Sequence, residues 1–436
     1  MSEKLILTNQ LTQQIPDSET YLQIPDYLEK YPNIREYFCA KIEKLNSKIS
    51  VYAAASSLRL GDLIVRSGAL SLIPEASHNM RLITNGLNFI WGLNSPFEIV
   101  NSKMANQTTG GVTIKSKEEK EYHKKFLRLE LEKCDYFCLA SIAGCEGFLT
   151  SLEETITERK LQGLPIPKIL TNFLAGSHPT KLEDELGLDN DKIGMYSRRF
   201  VAQITNRVIG TKEILRQNQD VIIPKYMEDL EFRKFRAKSY FQVQPKDRII
   251  AIGDVANGGD YGYSKTPKME TFVLIAKELI KHGFKIAFVD PTTNFSFQEI
   301  AKNFDQKEQN NLIFSYSDFQ PIFWDGKEYM KSTFLNNVDI LSICTDYLGT
   351  DTGCSHFASS IIQQAGNNPN ILQLWSNAKN NKNRGIYDKN TGSYKKEEWQ
   401  IYNSTGLIGF SDDYYSIDTI NPTQIIKHFI PNFSTN

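Results

Sequence analysis

The chain has 436 residues and a formal net charge of −1, with 40% of its residues hydrophobic and 23% charged. A near-neutral total gives no long-range attraction for nucleic acid or anionic lipid, so any basic site must be local. The length exceeds one ordinary hydrophobic core and predicts two domains, and the lack of a long polar or Gly/Ser tract predicts that the whole length folds.

The opening stretch MSEKLILTNQLTQQIPDSE lacks the basic start and continuous apolar core of a secretory signal. The longest apolar runs, such as residues 249–252 and 371–375, fall well short of the roughly 20 residues that span a bilayer. Cys39, Cys134, Cys138, Cys145, Cys344 and Cys354 include no CxxC pair and fall mostly in apolar, strand-like runs. Reduced core thiols and a cytoplasmic location are expected.

Residues 48–56 (KISVYAAAS) predict a buried strand, followed by a turn at Leu60-Gly61-Asp62 and an amphipathic helix over 63–72. Residues 80–90 predict a second strand and 136–142 (YFCLASI) a third, bounded by Gly144 and Gly147 and followed by a helix over 148–160. Residues 168–173 add a strand, and 181–216 carry apolar residues at helical spacing. Residues 217–246 turn charged and aromatic with few strand signals, which predicts the linker.

A new cycle starts at Arg248: a strand (RIIAIGDVA), a Gly-rich loop (NGGDYGYSKTP), a helix over 269–282 ended by Gly283, and a strand (FKIAFVD). Next come a helix over 297–304, a strand over 311–315, a helical stretch over 329–338 and a short strand over 340–345. Residues 347–356 (YLGTDTGCSH) then lead into a helix over 357–364 with Gly366 placed to end it, and 370–375 return as a strand. Residues 376–404 are polar and without period, either a functional flap or a disordered insertion, and 412–431 predict a surface loop and a closing helix.

This alternation predicts an α/β protein of two Rossmann-like, doubly wound domains, with boundaries at 1–240 and 241–436. The segment 351–356 (DTGCSH) reads physically as a strand end, a Gly that permits close backbone approach, and a helix start whose free N–H groups and positive dipole end suit a pyrophosphate. Asp351 and Thr352 serve equally well as a plain N-cap pair, and Asp62, just before Leu63, has the same second reading.

The segment LGTDTGCSHFASSI resembles the D-[ST]-G-x-x-H signature of the family 9 glycosyltransferases, heptosyltransferases that use ADP-heptose. That resemblance implies a GT-B fold, two Rossmann-like domains facing a central cleft. It implies that Asp351 bonds sugar hydroxyls, Thr352 and Gly353 offer backbone N–H groups to phosphate, and His356 steadies the site. The family also begins with a strand, a Gly-Asp turn and a helix, matched here by SSLRLGDLIVRSGAL, which implies Asp62 as general base. A family Lys at the start of the second domain's first helix implies Lys265, or Lys268, against the donor diphosphate, although the Trp that accompanies it there is missing here. Asp290, ending a strand before Pro291, is a further candidate for the donor ribose. The extension before Lys48, the insertion after Trp375 and Ser376-Asn377-Ala378 in place of the usual Gly-Pro depart from the pattern.

The activity so implied is inverting transfer of a sugar from a nucleotide-diphosphate sugar, such as an ADP-heptose-like donor, to a hydroxyl of a glycan, lipid-linked or protein acceptor of the cell surface. No cofactor or metal and no nucleic-acid partner is expected; a peripheral membrane association is. A sugar-nucleotide epimerase of similar fold and a non-catalytic binding protein are the alternatives. Asp189-Asn190-Asp191 has a metal-site form but reads as a solvated turn. Cys134, Cys138 and Cys145 fit no metal template and read as core. The NGGDYG loop matches neither the dinucleotide fingerprint nor the P-loop, yet suits donor phosphate. The runs Arg233, Lys234, Arg236, Lys238 and Arg198, Arg199, Arg207 read as solvated helix faces, with an acidic acceptor as the alternative. His78, His123, His178, His282 and His428 have no partner in sequence.

Overall fold

The computed structural model describes residues 24–44, 46–53, 69–70, 79–84, 97–101, 116–140, 146–173, 195–211, 230–253, 268–289, 297–314, 323–324, 327–328, 333–350, 353–375, 377–378, 387–388, 393–394, 404–408, 414–415 and 420–433. The chain divides into two compact units, Met1–Asp189 with Tyr196–Ile222, and Asn190–Met195 with Ile223–Asn436.

The first unit carries five parallel strands: β1 (Ile49–Tyr52), β2 (Met80–Thr84), β3 (Glu98–Asn101), β4 (Tyr136–Leu139) and β5 (Lys168–Leu170), in the spatial order β3-β2-β1-β4-β5. The order reverses between β1 and β4, as in a doubly wound sheet. β1 and β4 are buried at every position, so they read in sequence as continuous apolar runs. Helices α1 (Lys117–Leu131) and α2 (Glu146–Leu161) pack into one core with them through Leu127, Leu131, Phe148, Leu152 and Ile156. Ser116 caps α1 by accepting the Glu119 N–H at 3.1 Å. Helix α3 (Met195–Arg207) completes the described helices longer than a turn or two in this unit.

The extension before Lys48 belongs to this unit. Leu28 and Ile34 are buried in its core, and the Glu153 carboxylate accepts the Asn33 and Ile34 backbone N–H groups, each at 2.8 Å, at the start of the short helix Pro32–Glu36. Arg207 fixes the other end, donating from Nε to the Ala40 carbonyl at 3.0 Å and from Nη1 to the Thr171 carbonyl at 2.7 Å. Arg207 is 1% exposed, so it is a buried clamp and not part of a solvated face; its guanidinium satisfies carbonyls that have no sheet partner.

Among the described residues the main sheet of the second unit has six parallel strands: β6 (Arg248–Gly253), β7 (Phe284–Val289), β8 (Leu312–Phe314), β9 (Asp346–Thr350), β10 (Asn370–Trp375) and β11 (Ser404–Ile408), ordered β11-β10-β9-β6-β7-β8. The reversal here falls between β6 and β9. One face packs on α5 (Met269–Lys281) and α8 (Pro422–Phe429) through Ile250, Ile252, Leu348, Leu372, Phe272, Ile275, Ile425 and Phe429. Gly283 and Gly366 follow α5 and α7 (Gly353–Gln364) with φ of 85° and 79°, the left-handed termination the sequence predicts.

Three expectations change. Residues 340–343 are not strand: they end α6 (Thr333–Ile343), and the strand begins at Asp346. From Asn337 on, α6 buries Asn337, Asp339 and Ser342 as well as Val338, Ile340 and Leu341, so this stretch shows no polar face, and a short, wholly buried run of that kind satisfies either period. Residues 230–240, inside the segment read as linker, form α4 (Leu230–Tyr240) and pack on α6. There Arg233 is fully buried and pairs with Asp339 at 3.1 Å, with Arg236 on the other carboxylate oxygen and Lys234 on the Ala365 carbonyl. Arg233, Lys234 and Arg236 are therefore tied into the unit, while Lys238 is exposed. β11, the sixth strand, begins where the polar insertion was expected to end.

Candidate functional site

In an open parallel sheet, loops leave neighbouring strands in opposite directions where the order reverses, and ligands bind beyond the carboxyl ends at that point. In the second unit this is the junction of β6 and β9. β6 ends at Gly253, β9 ends at Thr350, and α7 begins at Gly353. A twelve-residue helix thus starts directly off the strand at the switch point, with its unsatisfied N–H groups and positive dipole end there.

Hydroxyls fix this junction. Ser355 Oγ donates to the Thr350 carbonyl at 2.6 Å and is bonded to Tyr347 Oη at 2.8 Å, with all three residues no more than 1% exposed. The Tyr347 ring lies against Gly253, the last residue of β6, and Gly349, the last but one of β9. A Cβ on Gly253 would overlap the Tyr347 hydroxyl and stand 3.2 Å from Cζ. A Cβ on Gly349 would overlap the same hydroxyl and approach both Tyr347 Cε1 and Ser355 Oγ to 2.6 Å. The sequence analysis gives no role to Tyr347, Ser355, Gly253 or Gly349; the pairing of β6 with β9 brings Gly253 to the other three. Thr350 closes the strand with a buried Oγ1 that has no hydrogen-bond partner among the described residues.

Of the residues singled out in the sequence, Gly353 starts α7 and His356 sits in its first turn, buried at 9% exposure. Asp62, Lys265, Asp290, Asp351 and Thr352 lie outside the described residues. Their places in the chain order are these. Asp351 follows the last residue of β9, Lys265 lies in the connection from β6 to α5, and Asp290 follows the last residue of β7. β9, β6 and β7 are consecutive neighbours in the sheet. Asp62 lies in the segment that leaves β1 at the reversal point of the first sheet.

Of the remaining candidates, those among the described residues are structural. Burial pushes the Cys134 thiol up to about 12 and raises Cys138 well above its ordinary value, so both are inert core thiols. Cys145, His78, His178 and the Asp189–Asp191 turn lie outside the described residues, as do the side chains of Arg198 and Arg199. His282 is half-exposed and bonds the Glu278 carbonyl, while His123 is buried on α1. Among the described residues no group of His, Cys, Asp and Glu is arranged to hold a metal ion, and no helix is long and apolar enough to cross a membrane.

No protein-family model matches the sequence, and no curated protein matches it. Solved structures match by fold. The family 9 glycosyl transferase from Veillonella parvula superposes with a TM-score of 0.55 at 15% identity, over 88% of this chain and 96% of that one. The E. coli ADP-heptose lipopolysaccharide heptosyltransferase II superposes with a TM-score of 0.51 at 13% identity, over 88% of this chain and 98% of that one. The chain therefore has the two-unit α/β fold of these GT-B glycosyltransferases.

Proposed function

We propose that this chain is an inverting glycosyltransferase that takes a sugar from a nucleotide-diphosphate donor, of the ADP-heptose type, to an acceptor hydroxyl. The observation that carries the reading is the junction of β6 and β9, where α7 begins at Gly353, beside the D-T-G-x-x-H segment. The fold shared with glycosyltransferases supports it. In this reading the α7 N-terminus and Lys265 hold the diphosphate, Asp351 bonds the sugar hydroxyls and Asp290 the ribose. Asp62 removes the acceptor proton as the acceptor oxygen attacks the anomeric carbon. The bond from that carbon to the diphosphate oxygen breaks on the opposite face, and the charge that develops falls on groups already aimed at it. Such a site needs no metal, because the helix dipole and Lys265 supply the positive charge.

The acceptor class fitting this reading is a glycan, lipid-linked or protein hydroxyl of the cell surface, reached with a peripheral membrane association. The test is release of nucleoside diphosphate from a panel of nucleotide sugars with and without acceptor. Asp62→Asn is expected to lower turnover by about a hundred- to ten-thousand-fold, the usual worth of a general base, while leaving donor binding intact. A fully active Asp62→Asn enzyme would remove that role. Epimerised nucleotide sugar formed without acceptor would contradict transfer altogether.

A further inference from the structure

We infer that the outer face of α4 docks on the same face of a second copy of this chain, forming a two-fold dimer. α4 is turned the opposite way from an ordinary surface helix. Arg233 is fully buried, on the side that also buries Leu230 and Ala237 and packs on α6, while Phe232 and Phe235 are 61% and 71% exposed. Asp339 holds Arg233 in place, and that contact fixes which side of the helix faces out. Among the described residues neither phenylalanine ring stacks on another ring or lies under a cation. A single exposed apolar side chain is ordinary on a surface. Two large rings three residues apart on one side of a helix make a patch that a partner covers.

The charges of this face select the partner. Arg233 and Arg236 are engaged with Asp339, and Lys234 with the Ala365 carbonyl. Glu231 and Lys238 are exposed, and among the described residues neither has an ion-pair partner. The two cancel, which leaves the face no net charge to draw it to an anionic lipid surface or a nucleic acid. Residues four and seven apart share a helix face, so Glu231, Phe235 and Lys238 form one row, acid at one end, base at the other and the ring between them, with Phe232 beside it. A two-fold axis sets a patch against itself, residue i on j and j on i. Two α4 helices that cross antiparallel at Phe235 bring Glu231 of each copy to Lys238 of the other, around the packed phenylalanine rings. The row is thus complementary to its own reverse. An eleven-residue helix is only about 16 Å long, so the contact is small and the dimer dissociates on dilution.

The test is sedimentation velocity of the full-length chain from about 1 μM to about 300 μM, over which the wild type is expected to pass from one chain to two. Replacing both rings, Phe232→Ser with Phe235→Ser, is expected to weaken association about a hundred-fold or more while leaving the urea midpoint of the single chain unchanged, because both rings are exposed. Glu231→Lys and Lys238→Glu are each expected to weaken it about ten-fold by setting like charges face to face. Mixed in equal amounts, these two variants are expected to associate at least as well as the wild type, since a row of two lysines then meets a row of two glutamates. That recovery belongs only to a pairing of α4 with α4. A wild type that stays one chain at about 300 μM overturns the inference. So does a dimer that survives replacement of both phenylalanines, or a mixture of the charge variants that associates no better than either alone. A single chain that sediments with phosphatidylglycerol vesicles, and loses them on replacement of both phenylalanines, overturns it too and assigns the face to a lipid surface.

Discussion

Gly253 and Gly349, the last residue of β6 and the last but one of β9, lie against one tyrosine ring, and the identity of the colliding atom separates their substitutions. On Gly349, a Cβ meets the ring edge and Ser355 Oγ as well as the hydroxyl. Gly349→Ala is therefore expected to cost about 1–3 kcal/mol, with no rescue by Tyr347→Phe. On Gly253, the hydroxyl is the severe contact and Cζ stands at 3.2 Å. Tyr347→Phe should recover most of that loss, read as a coupling in a double-mutant cycle by urea unfolding. Glycines whose task is local are legible in sequence: Gly283 and Gly366 stand just past apolar helical periods and have the positive φ that position asks for. Gly253 is not legible, because its constraint comes from Tyr347 on a strand paired across a long separation, and Gly349 is not, because its constraint comes from the way the Tyr347 and Ser355 side chains fold over it. Arg207 and Arg233 fail for the same reason. A basic run looks solvated until the carbonyls or carboxylate that receive it are in place.

The elements that read well from sequence are those whose burial pattern is uniform. β1, β4, β6 and β9 are buried at nearly every position and bounded by turn residues. α6 defeats that approach because its polar residues are buried too, Asp339 by the two arginines of α4. Burial raises the Asp339 carboxyl and the guanidiniums oppose the rise. Removing the carboxylate strands two cations at the α4–α6 contact, so Asp339→Ala is expected to cost about 3–5 kcal/mol in urea unfolding, more than an apolar truncation of similar volume. α8 carries a pH response. His428 is largely buried, which pushes its pKa below the ordinary 6.5, with Asp346 opposing. The unfolded chain then binds this proton more readily than the folded one, so the contribution of His428 to stability is present above about pH 6.5 and lost as pH falls through the folded pKa. His428→Gln should flatten this part of the profile, measured as urea midpoints from about pH 7.5 to about pH 5.5.

Each unit has its own core, one around Tyr52, Phe137 and Phe148 and one around Ile250, Phe272 and Leu348. Two calorimetric transitions are expected, and Asp339→Ala should lower only the one belonging to the second unit. The alternation of strand and helix was enough to foresee two doubly wound sheets. Strand order was not, nor was β11, whose short Ser-Thr-Gly-Leu-Ile segment acquires meaning only by pairing along β10. Of the candidate site, the start of α7 with Gly353 and His356 was legible because strand end, glycine and helix start are adjacent in the chain. The hydroxyl network beside it was not, since Tyr347, Thr350 and Ser355 gain their roles from bonds between β9 and α7 that no sequence pattern marks. The most direct measurement is titration calorimetry of the full-length chain with ADP-, UDP- and GDP-sugars. One class is expected to bind at a single site per chain, to raise the second unit's transition, by roughly 2.7 kcal/mol at about 100 times its dissociation constant, and to lose affinity in Asp351→Ala. Heats no larger than dilution for all three classes would contradict a donor site at this junction.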